Sequence, residues 1–470
     1  MRVTSRPSSA EADDRAFFGH PRALGYLVGV EGFWMFSYAG MQFLLTLYMS
    51  QQLLLPGHAE QVLGLPLYRS LLEHGGRALS PLEIASRTYG LATGLIYVFP
   101  VLGGLLADRW LGRRRTLTIG LVVTLASFTL MATESGFLIA LILLIIGVGL
   151  VKLNLVSQIG ALYAPDDSRR TQAFAYYLIA ANVGSLVTPL VSGTLAERVG
   201  YRYGLSTLAV SMVICLAVYV AGRGRVPADP PEAKAAGGSV AKLADRLDPR
   251  VIVALLCLMV GELLTFATYN QAFNIFPIWA KAHVDLNVFG FEMPVTWFST
   301  LDGILTIIGA MLTVRFWAWQ TKRGREMGDA GRLTVGCLLT AGAFLVLALG
   351  AAAAGAGKTS MGPAVGFFLL ADPAITWTDT VILAAISRAA PRSIASLVLG
   401  AYYLAIAVGS MADGWLGGFY ESMSPTTFWL MHAGVIGAGA AFFVVLGPWL
   451  SRVLAPKAAL AEPLAEPAIA

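Results

Sequence analysis

The sequence predicts an all-α integral membrane protein with twelve transmembrane helices. Of its 470 residues, 56% are hydrophobic and only 13% are charged, and the mean hydropathy is +0.68. A soluble domain carries about a quarter charged residues, so these side chains are too apolar to cover a water-exposed surface. The hydrophobic residues also come in blocks of about 20, the length of helix that crosses a hydrocarbon layer. This composition excludes a soluble enzyme.

Twelve apolar windows have the length of a membrane-spanning helix. The predicted spans, numbered in chain order, are 22–48, 85–106, 115–133, 136–162, 173–196, 203–222, 251–280, 295–319, 330–353, 364–388, 393–419 and 425–449.

A polar segment at 223–250 divides the spans six plus six and predicts two six-helix bundles. The predicted parts are a cytoplasmic N-terminal tail, an N-terminal bundle, a cytoplasmic linker, a C-terminal bundle and a disordered cytoplasmic tail. They cover 1–21, 22–222, 223–250, 251–449 and 450–470, in that order. Lys and Arg cluster in the loops after spans 2, 4 and 8, which by the positive-inside rule places both termini in the cytoplasm. The expected location is the cell (inner) membrane.

The net charge, the cysteine positions and the N-terminal segment limit the partners and cofactors that we expect. A net charge of +5 in so apolar a chain indicates membrane orientation rather than a nucleic-acid partner. Cys215, Cys257 and Cys337 lie in apolar segments at spacings that fit no metal site. Residues 1–21 lack the apolar stretch of a signal peptide, so the first span is expected to direct insertion. We therefore expect no metal, no cofactor other than protons, and a monomer in a lipid bilayer.

The loop after span 2 carries a distinctive motif. The chain reads GGLLADRWLGRRR from Gly103 to Arg115, with glycines that suit a tight turn and an acid flanked by arginines. This order resembles the cytoplasmic loop motif of the major facilitator superfamily and implies that superfamily's fold. The resemblance assigns a role in gating rather than in substrate contact to Gly104, Asp108, Arg109, Gly112 and Arg113.

A second resemblance narrows the family. Span 5 reads FAYYLIAANVGS from Phe174 to Ser185, and span 4 contains Lys152-Leu153-Asn154. Span 2 contains YVFP from Tyr97 just before the double glycine. These segments resemble the proton-dependent oligopeptide transporter family, and the match is dense over 31–204.

The first span departs from that family's Glu-x-x-Glu-Arg motif. Glu31 is kept, but Trp34 and Met35 stand where the second acid and the arginine are expected. Gln42 stands in place of another family arginine that helps to hold the peptide carboxylate. In span 10, Ile375 replaces a glutamate that binds the peptide amine, and Asp379 follows one turn later.

Five ionisable residues lie inside the predicted spans, where a charge costs at least about 2.5 kcal/mol unless it faces a cavity or a partner. They are Glu31, Lys152, Glu262, Asp302 and Asp379. The resemblance implies that Lys152 binds the substrate carboxylate; the alternative is an ion pair that only fastens helices, with Glu262 as a possible partner. Asp302 is expected to bind the peptide amine or to carry the proton, and Glu31 and Glu262 are the other proton candidates. The alternatives are a helix-to-helix hydrogen bond for Asp302 and a structural role for Glu31. Asp413 and His432 are expected to cap or to pack, with proton transfer as the alternative for His432.

Further substrate contacts, in addition to Asp379, are expected from polar residues of the spans, of which Tyr38 and Tyr97 lie at positions that face substrate in the resembled family. They are Tyr38, Gln42, Tyr97, Asn182, Asn270 and Tyr402. The predicted function is proton-coupled symport of di- and tripeptides by alternating access through a central cavity between the bundles. Transport of drugs, nitrate or another small anion on the same scaffold, and a non-transporting membrane sensor, remain alternatives.

Overall fold

Helices make up nearly all of the chain that can be described. The computed structural model describes residues 14–73, 76–164, 166–227, 249–355, 357–389 and 395–454. Within these ranges the strands form a single two-stranded antiparallel hairpin, β1 (Asn287–Val288) and β2 (Phe291–Glu292). Most of the predicted linker and of both predicted tails, namely 1–13, 228–248 and 455–470, lies outside the described residues.

Twelve long helices follow the twelve predicted spans, and we number them α1 to α12. Their bounds are Arg22–Tyr48, Pro81–Leu106, Arg113–Met131, Phe137–Gly160, Arg169–Thr188, Tyr201–Gly222, Pro249–Tyr269, Trp297–Lys322, Asp329–Ala354, Gly362–Ala389, Ala395–Gly417 and Pro425–Val453. Shorter helices at Leu65–Glu73, Thr194–Arg198 and Phe276–His283 lie in the connections.

Eleven helices of the described chain are long and apolar enough to cross a membrane. The helix α1, predicted as the first span, is not one of them, although it is 27 residues long. Its glycines, tyrosines and polar side chains, including Glu31 and Gln42, lower its mean hydropathy. Many of these polar positions are buried against other helices, so α1 is a helix of the protein interior.

Several helix ends are defined by local chemistry. Ser80 begins α2 with a capping box, in which its hydroxyl accepts from the backbone N–H of Glu83 and the Glu83 carboxylate accepts from the Ser80 N–H. The other end of α2 continues into a π-helical turn, Ala107–Leu111. Gly112 ends that turn at φ 75°, a left-handed conformation that favours glycine. The predicted loop motif is therefore a sharp turn between α2 and α3.

Contacts divide the described chain into two units. The first comprises the described residues within Met1–Ala235, Asn270–Ile304 and Met411–Ser422. The second comprises those within Ala236–Tyr269, Leu305–Ser410 and Met423–Ala470. The first unit thus includes two segments from the C-terminal half of the sequence, at the start of α8 and the end of α11. The predicted division into bundles at 22–222 and 251–449 stays a prediction.

In the first unit the backbones of α2 and α4 touch. A Cβ atom added to Gly103 would overlap the carbonyl group of Gly149. The helix α1 packs against α5 and α6, and α3 packs against α4. In these contacts small residues allow close approach of the helices.

In the second unit, α9 packs against α10 and α12 around an aromatic core. Four aromatic side chains are fully buried in that core, namely Phe344, Phe367, Phe428 and Trp429. His432 lies among them, with its Nδ1 2.9 Å from the backbone oxygen of Phe428. This position agrees with the expected packing role of His432.

Candidate functional site

Lys152 lies on α4 in the first unit, above two aromatic rings of α1. Its Nζ is 5.7 Å from the centroid of the Trp34 ring and 5.9 Å from that of Tyr38. The two rings stack with an interplanar angle of 4° and a centroid separation of 5.3 Å. Residues four apart on a helix share a face, so α1 presents both rings side by side. The rings stabilise a cation through their negative faces.

Glu31 lies on the same face of α1, about one turn before Trp34. Its side chain is buried, with 2% of the residue exposed, and its carboxyl interacts electrostatically with Lys152. The hydroxyl of Tyr177, on α5, is a hydrogen-bonding neighbour of Glu31. Glu31 is therefore an acid that lies beside Lys152, and the structure brings together α1, α4 and α5 at this point.

More polar aromatic groups surround Tyr38. The hydroxyl groups of Tyr38, Tyr89 and Tyr97 lie close enough to interact electrostatically, and Tyr97 is half-buried on α2. Gln42 follows Tyr38 by one helical turn and is also half-buried. The predicted substrate residues Tyr38, Gln42 and Tyr97 thus lie in the same unit as Lys152.

Two asparagines of the family signatures direct their amide nitrogens to their own helices. Asn154 is buried and donates to the Leu150 carbonyl at 2.9 Å. Asn182 is exposed on α5 and donates to the Leu178 carbonyl at 2.8 Å. The predicted role of Asn182 in substrate binding therefore rests on its remaining amide groups.

Asp302 is half-buried on α8 in the first unit. The start of α8 is fixed by Glu197, whose carboxylate accepts from the backbone N–H groups of Val295 and Thr296, each at 3.0 Å. Thr300 also donates to the Leu186 carbonyl at 3.1 Å. These contacts fix the first turns of α8 and thereby the position of Asp302.

Glu262, Asp379 and Tyr402 form a cluster in the second unit, on α7, α10 and α11. The Tyr402 hydroxyl donates to Asp379, and Glu262 interacts electrostatically with both side chains. Glu262 is 0% exposed, and neither of its carboxylate oxygens has a partner with hydrogen-bond geometry among the described residues. That these three residues lie together was not predicted from the sequence, from which Glu262 was expected as a possible partner of Lys152.

Asn270 is buried just after α7, beside Gln271. Gln271 and Asn274, which lie in the same connection, contact Asp413 near the end of α11. Sequence reasoning missed this contact and assigned Asp413 a capping or packing role. An acid within an apolar window was the signal that could have identified it.

The residues of the loop motif lie together at the end of α2. The Arg113 guanidinium is 3.8 Å from the Asp108 carboxylate, and both side chains are well exposed. Gly104 and Arg109 lie on the preceding turns, and Gly112 makes the turn itself. An exposed ion pair of this length is weak and easily exchanged.

A second loop, between α3 and α4, contains a carboxylate that is held by two polar side chains. Glu134 contacts His58 at 2.8 Å and accepts from Gln52 at 2.7 Å. Partial burial would raise the pKa of Glu134, but the hydrogen bonds from His58 and Gln52 outweigh it and lower that pKa. Among the described residues, no group of three or more His, Cys, Asp and Glu side chains is placed to hold a metal ion.

Comparisons with known proteins agree on one family. The family model described as Major Facilitator Superfamily matches residues 33–414. A di-/tripeptide transporter of Lactococcus lactis subsp. cremoris is 25% identical, with 90% of this chain and 94% of the relative covered. The peptide transporter YePEPT of Yersinia enterocolitica is 24% identical, with 92% and 95% covered.

Solved structures show the same fold. A peptide transporter POT in complex with sulfate matches with a TM-score of 0.80 and 21% identity, covering 94% of this chain and 98% of the other. A POT family transporter in complex with 5-aminolevulinic acid matches with a TM-score of 0.77 and 19% identity, covering 93% and 98%. These matches confirm the predicted fold class, an all-α membrane protein of the major facilitator type.

Proposed function

The chain belongs to the Major Facilitator Superfamily and is a multi-pass membrane transporter rather than an enzyme, and from this premise we propose that it is a proton-coupled symporter of di- and tripeptides. Two relatives that align over nine-tenths of the chain are named as peptide transporters. Peptides carry a carboxylate at one end and an ammonium at the other, so their transporter needs a cation and an acid that are accessible to the substrate.

The observation that carries the proposal is the position of Lys152. Its side chain is accessible, yet its ammonium lies over the rings of Trp34 and Tyr38 and beside Glu31. We assign Lys152 to the peptide carboxylate, because a charge-assisted hydrogen bond between an ammonium and a carboxylate is stronger than one between neutral groups. The rings provide an apolar floor that tolerates different peptide side chains.

Glu31 gives this site a route to proton coupling. When Glu31 is ionised, it competes with a substrate carboxylate for Lys152. When Glu31 is protonated, Lys152 is left to the substrate, so proton binding and peptide binding favour each other. A potential of 100 mV contributes about 2.3 kcal/mol per charge and a pH unit about 1.36 kcal/mol. One proton could therefore sustain an accumulation of several hundredfold.

The peptide amine requires an acid at a distance set by the substrate. The ends of an extended di- or tripeptide lie roughly 7 to 10 Å apart. We assign the amine to Asp302 or Asp379, and Tyr97, Asn182, Asn270 and Tyr402 to the substrate's backbone groups. Asp302 and Glu262 are further proton carriers in this proposal, and the exposed Asp108–Arg113 pair takes part in gating.

The proposed setting is the cell (inner) membrane, with both termini in the cytoplasm and a monomer as the working unit. Arginines at the ends of α2 and α4 support this orientation. Alternating access, in which the substrate is exposed to each side of the membrane in turn, completes the proposal.

The decisive experiment measures dialanine uptake into proteoliposomes. We expect an inward proton gradient to drive accumulation, and unlabelled dialanine to support counterflow without any gradient. Uptake that is unchanged when both the pH gradient and the potential are collapsed would contradict proton coupling. Competition by nitrate or by drugs, with no competition by dialanine, would favour the alternative substrates, and peptide binding without counterflow would indicate a sensor.

The matched variants are Glu31→Gln and Glu60→Gln. Glu60 lies in an exposed turn, where its carboxylate accepts from the Gly57 backbone N–H at 2.8 Å. We expect Glu31→Gln to keep counterflow and to lose gradient-driven accumulation, and Glu60→Gln to keep both.

A further inference from the structure

One asparagine, Asn274, links Asp413 to other segments of the first unit through hydrogen bonds. Asn274, in the connection after α7, accepts from the Thr46 hydroxyl of α1 at 2.9 Å. Its amide nitrogen donates to the Ser86 hydroxyl of α2 at 2.8 Å and to Asp413 Oδ2 of α11 at 3.1 Å. Thr46, Ser86, Asn274 and Asp413 are all 0% exposed. We call these four residues the Asp413 cluster.

The end of α11 is also held by its backbone. Ser86 donates to the Gly414 carbonyl at 2.9 Å, and Gln271 donates to the Asp413 carbonyl at 2.9 Å. Both carbonyls lie in the last turns of α11, and terminal carbonyls of a helix need partners from outside it. Gly414 allows this contact, because a Cβ there would press on the backbone of α2. The cluster therefore closes α11 tightly onto α2.

Within the described part of the chain, no cation lies beside the carboxyl of Asp413 to balance a negative charge. Its Oδ2 accepts from one neutral amide, and its Oδ1 has no hydrogen-bond partner among the described residues. Tyr89, on α2, is an ionisable neighbour close enough to interact with it electrostatically. Glu83 and Arg87 of the same helix lie near Gly418, beyond the end of α11. An ionised carboxylate that is fully buried with a single neutral donor is strongly unfavourable.

Gln271, which contacts the backbone carbonyl of Asp413, carries a second buried oxygen without a donor in the described chain. Gln271 donates through its amide nitrogen to Asp413, but its side-chain oxygen is buried without a partner among the described residues. Within the described ranges, two buried oxygens without donors therefore lie on two residues that are hydrogen-bonded to each other. A proton on the Asp413 carboxyl removes the buried negative charge.

We propose that Asp413 binds a proton whenever the Asp413 cluster is assembled, as a proton site separate from Glu31. The separation follows from α1: Thr46 lies 15 residues after Glu31, which at 1.5 Å per residue is about 22 Å along the helix. Breaking the cluster exposes the carboxyl to water, where it ionises and gives up the proton. Assembly of this contact thus takes up one proton. The inference concerns the fold of the first unit and needs no peptide.

The test compares purified wild-type protein with Asp413→Asn by infrared spectroscopy and by thermal unfolding. Asparagine keeps the shape and neutrality of a protonated aspartate, so we expect a folded variant. The carbonyl-stretch band of a protonated carboxyl should lose one component in Asp413→Asn. It should be unchanged in Asp108→Asn, whose carboxylate is exposed.

The pH dependence of thermal unfolding gives an independent measure of the number of protons that Asp413 binds in the folded protein. The folded wild-type protein holds one proton that the unfolded chain releases at neutral pH, so its stability should fall faster with rising pH than that of Asp413→Asn. The difference in slope should correspond to one proton. An unchanged carboxyl band or equal slopes would overturn the proposal. Stabilisation by sodium that disappears in Asp413→Asn would overturn it in favour of a metal site.

A second variant covers the case in which Asp413→Asn does not fold. Gln271→Leu leaves the carboxyl in place and removes the hydrogen bond to the Asp413 backbone carbonyl, so the band should shift rather than disappear. A band that neither shifts nor weakens in Gln271→Leu would count against the proposal. Because neither readout uses transport, a failure of dialanine uptake would contradict the proposed function and leave this inference standing.

Discussion

Buried acids have opposite kinds of neighbour in the site around Lys152 and in the cluster around Glu262. In the first unit, Glu31 faces a lysine that lies over two aromatic rings. In the second unit, Glu262 faces another acid, Asp379, and a tyrosine hydroxyl. An acid beside a cation is stabilised as an ion, whereas two neighbouring acids away from water favour keeping a proton between them. The difference indicates that a proton on Glu31 competes with Lys152 for the same carboxylate, as the proposed symport requires, whereas a proton between Glu262 and Asp379 has no cation to compete with.

The largest expected effect comes from removing the cation. Lys152→Gln should lower dialanine uptake and counterflow by about 100-fold, because a lost charge-assisted hydrogen bond costs up to ~3 kcal/mol. Lys281→Gln is the control, since Lys281 donates to Gln51 in an exposed position and should change uptake less than about twofold. Normal uptake by Lys152→Gln would remove Lys152 from the substrate site.

Neutralising the acids should change stability with opposite signs in the two regions. Glu31→Gln leaves Lys152 without a counter-charge and should destabilise the protein by about 1 to 3 kcal/mol. Glu262→Gln removes repulsion from Asp379 and should be neutral or stabilising, increasingly so as pH rises. Thermal unfolding of both variants in one detergent measures this. Shifts of the same sign would show that the two acids have similar surroundings.

The tyrosines should have smaller effects. Tyr177→Phe removes the hydroxyl beside Glu31, and Tyr402→Phe removes the donor to Asp379. Each loss is worth about 1 kcal/mol, or roughly fivefold in an equilibrium. We expect Tyr177→Phe to shift the pH profile of uptake with little change at saturating dialanine. A pH profile identical to the wild-type one would place Tyr177 outside the coupling step.

The smallest effect is expected at the loop pair His58–Glu134, which is partly exposed and lies outside the spans. The pKa of Glu134 is lowered, so its contact stabilises the fold above the acid's ordinary pKa and is lost as pH falls through the lowered value. Glu134→Gln should therefore destabilise by less than about 1 kcal/mol near neutral pH, and the deficit should shrink in acid. A deficit that grows on acidification would contradict this sign.

The sequence predicted the helices well because length and hydropathy alone determine a span. The ends of α4, predicted at 136 and 162, are Phe137 and Gly160. The exception is α1, which is a helix as predicted but is less apolar than the eleven described helices that are long and apolar enough to cross a membrane. Its buried polar residues serve contacts with other helices, and those contacts are not visible in a hydropathy window.

The site residues were harder to predict because a sequence does not say which helices are neighbours. The lysine and the acids were found by their cost in lipid, but Glu262 was considered as a partner of Lys152, whereas Glu31 is the acid beside it. The Asp413 cluster was missed for the same reason. Its hydrogen bonds join residues up to 228 positions apart, from Thr46 to Asn274.

Because the backbones of Gly103 and Gly149 touch, we expect α2 and α4 to move together as one rigid body. With no side chain between the two backbones, a small displacement of one helix cannot be absorbed by side-chain rearrangement. Ser86 sits near one end of α2, and Lys152 follows Gly149 by less than one turn of α4. A small molecule wedged between α2 and α11 would therefore tilt the lysine from a distance and act as a non-competitive inhibitor.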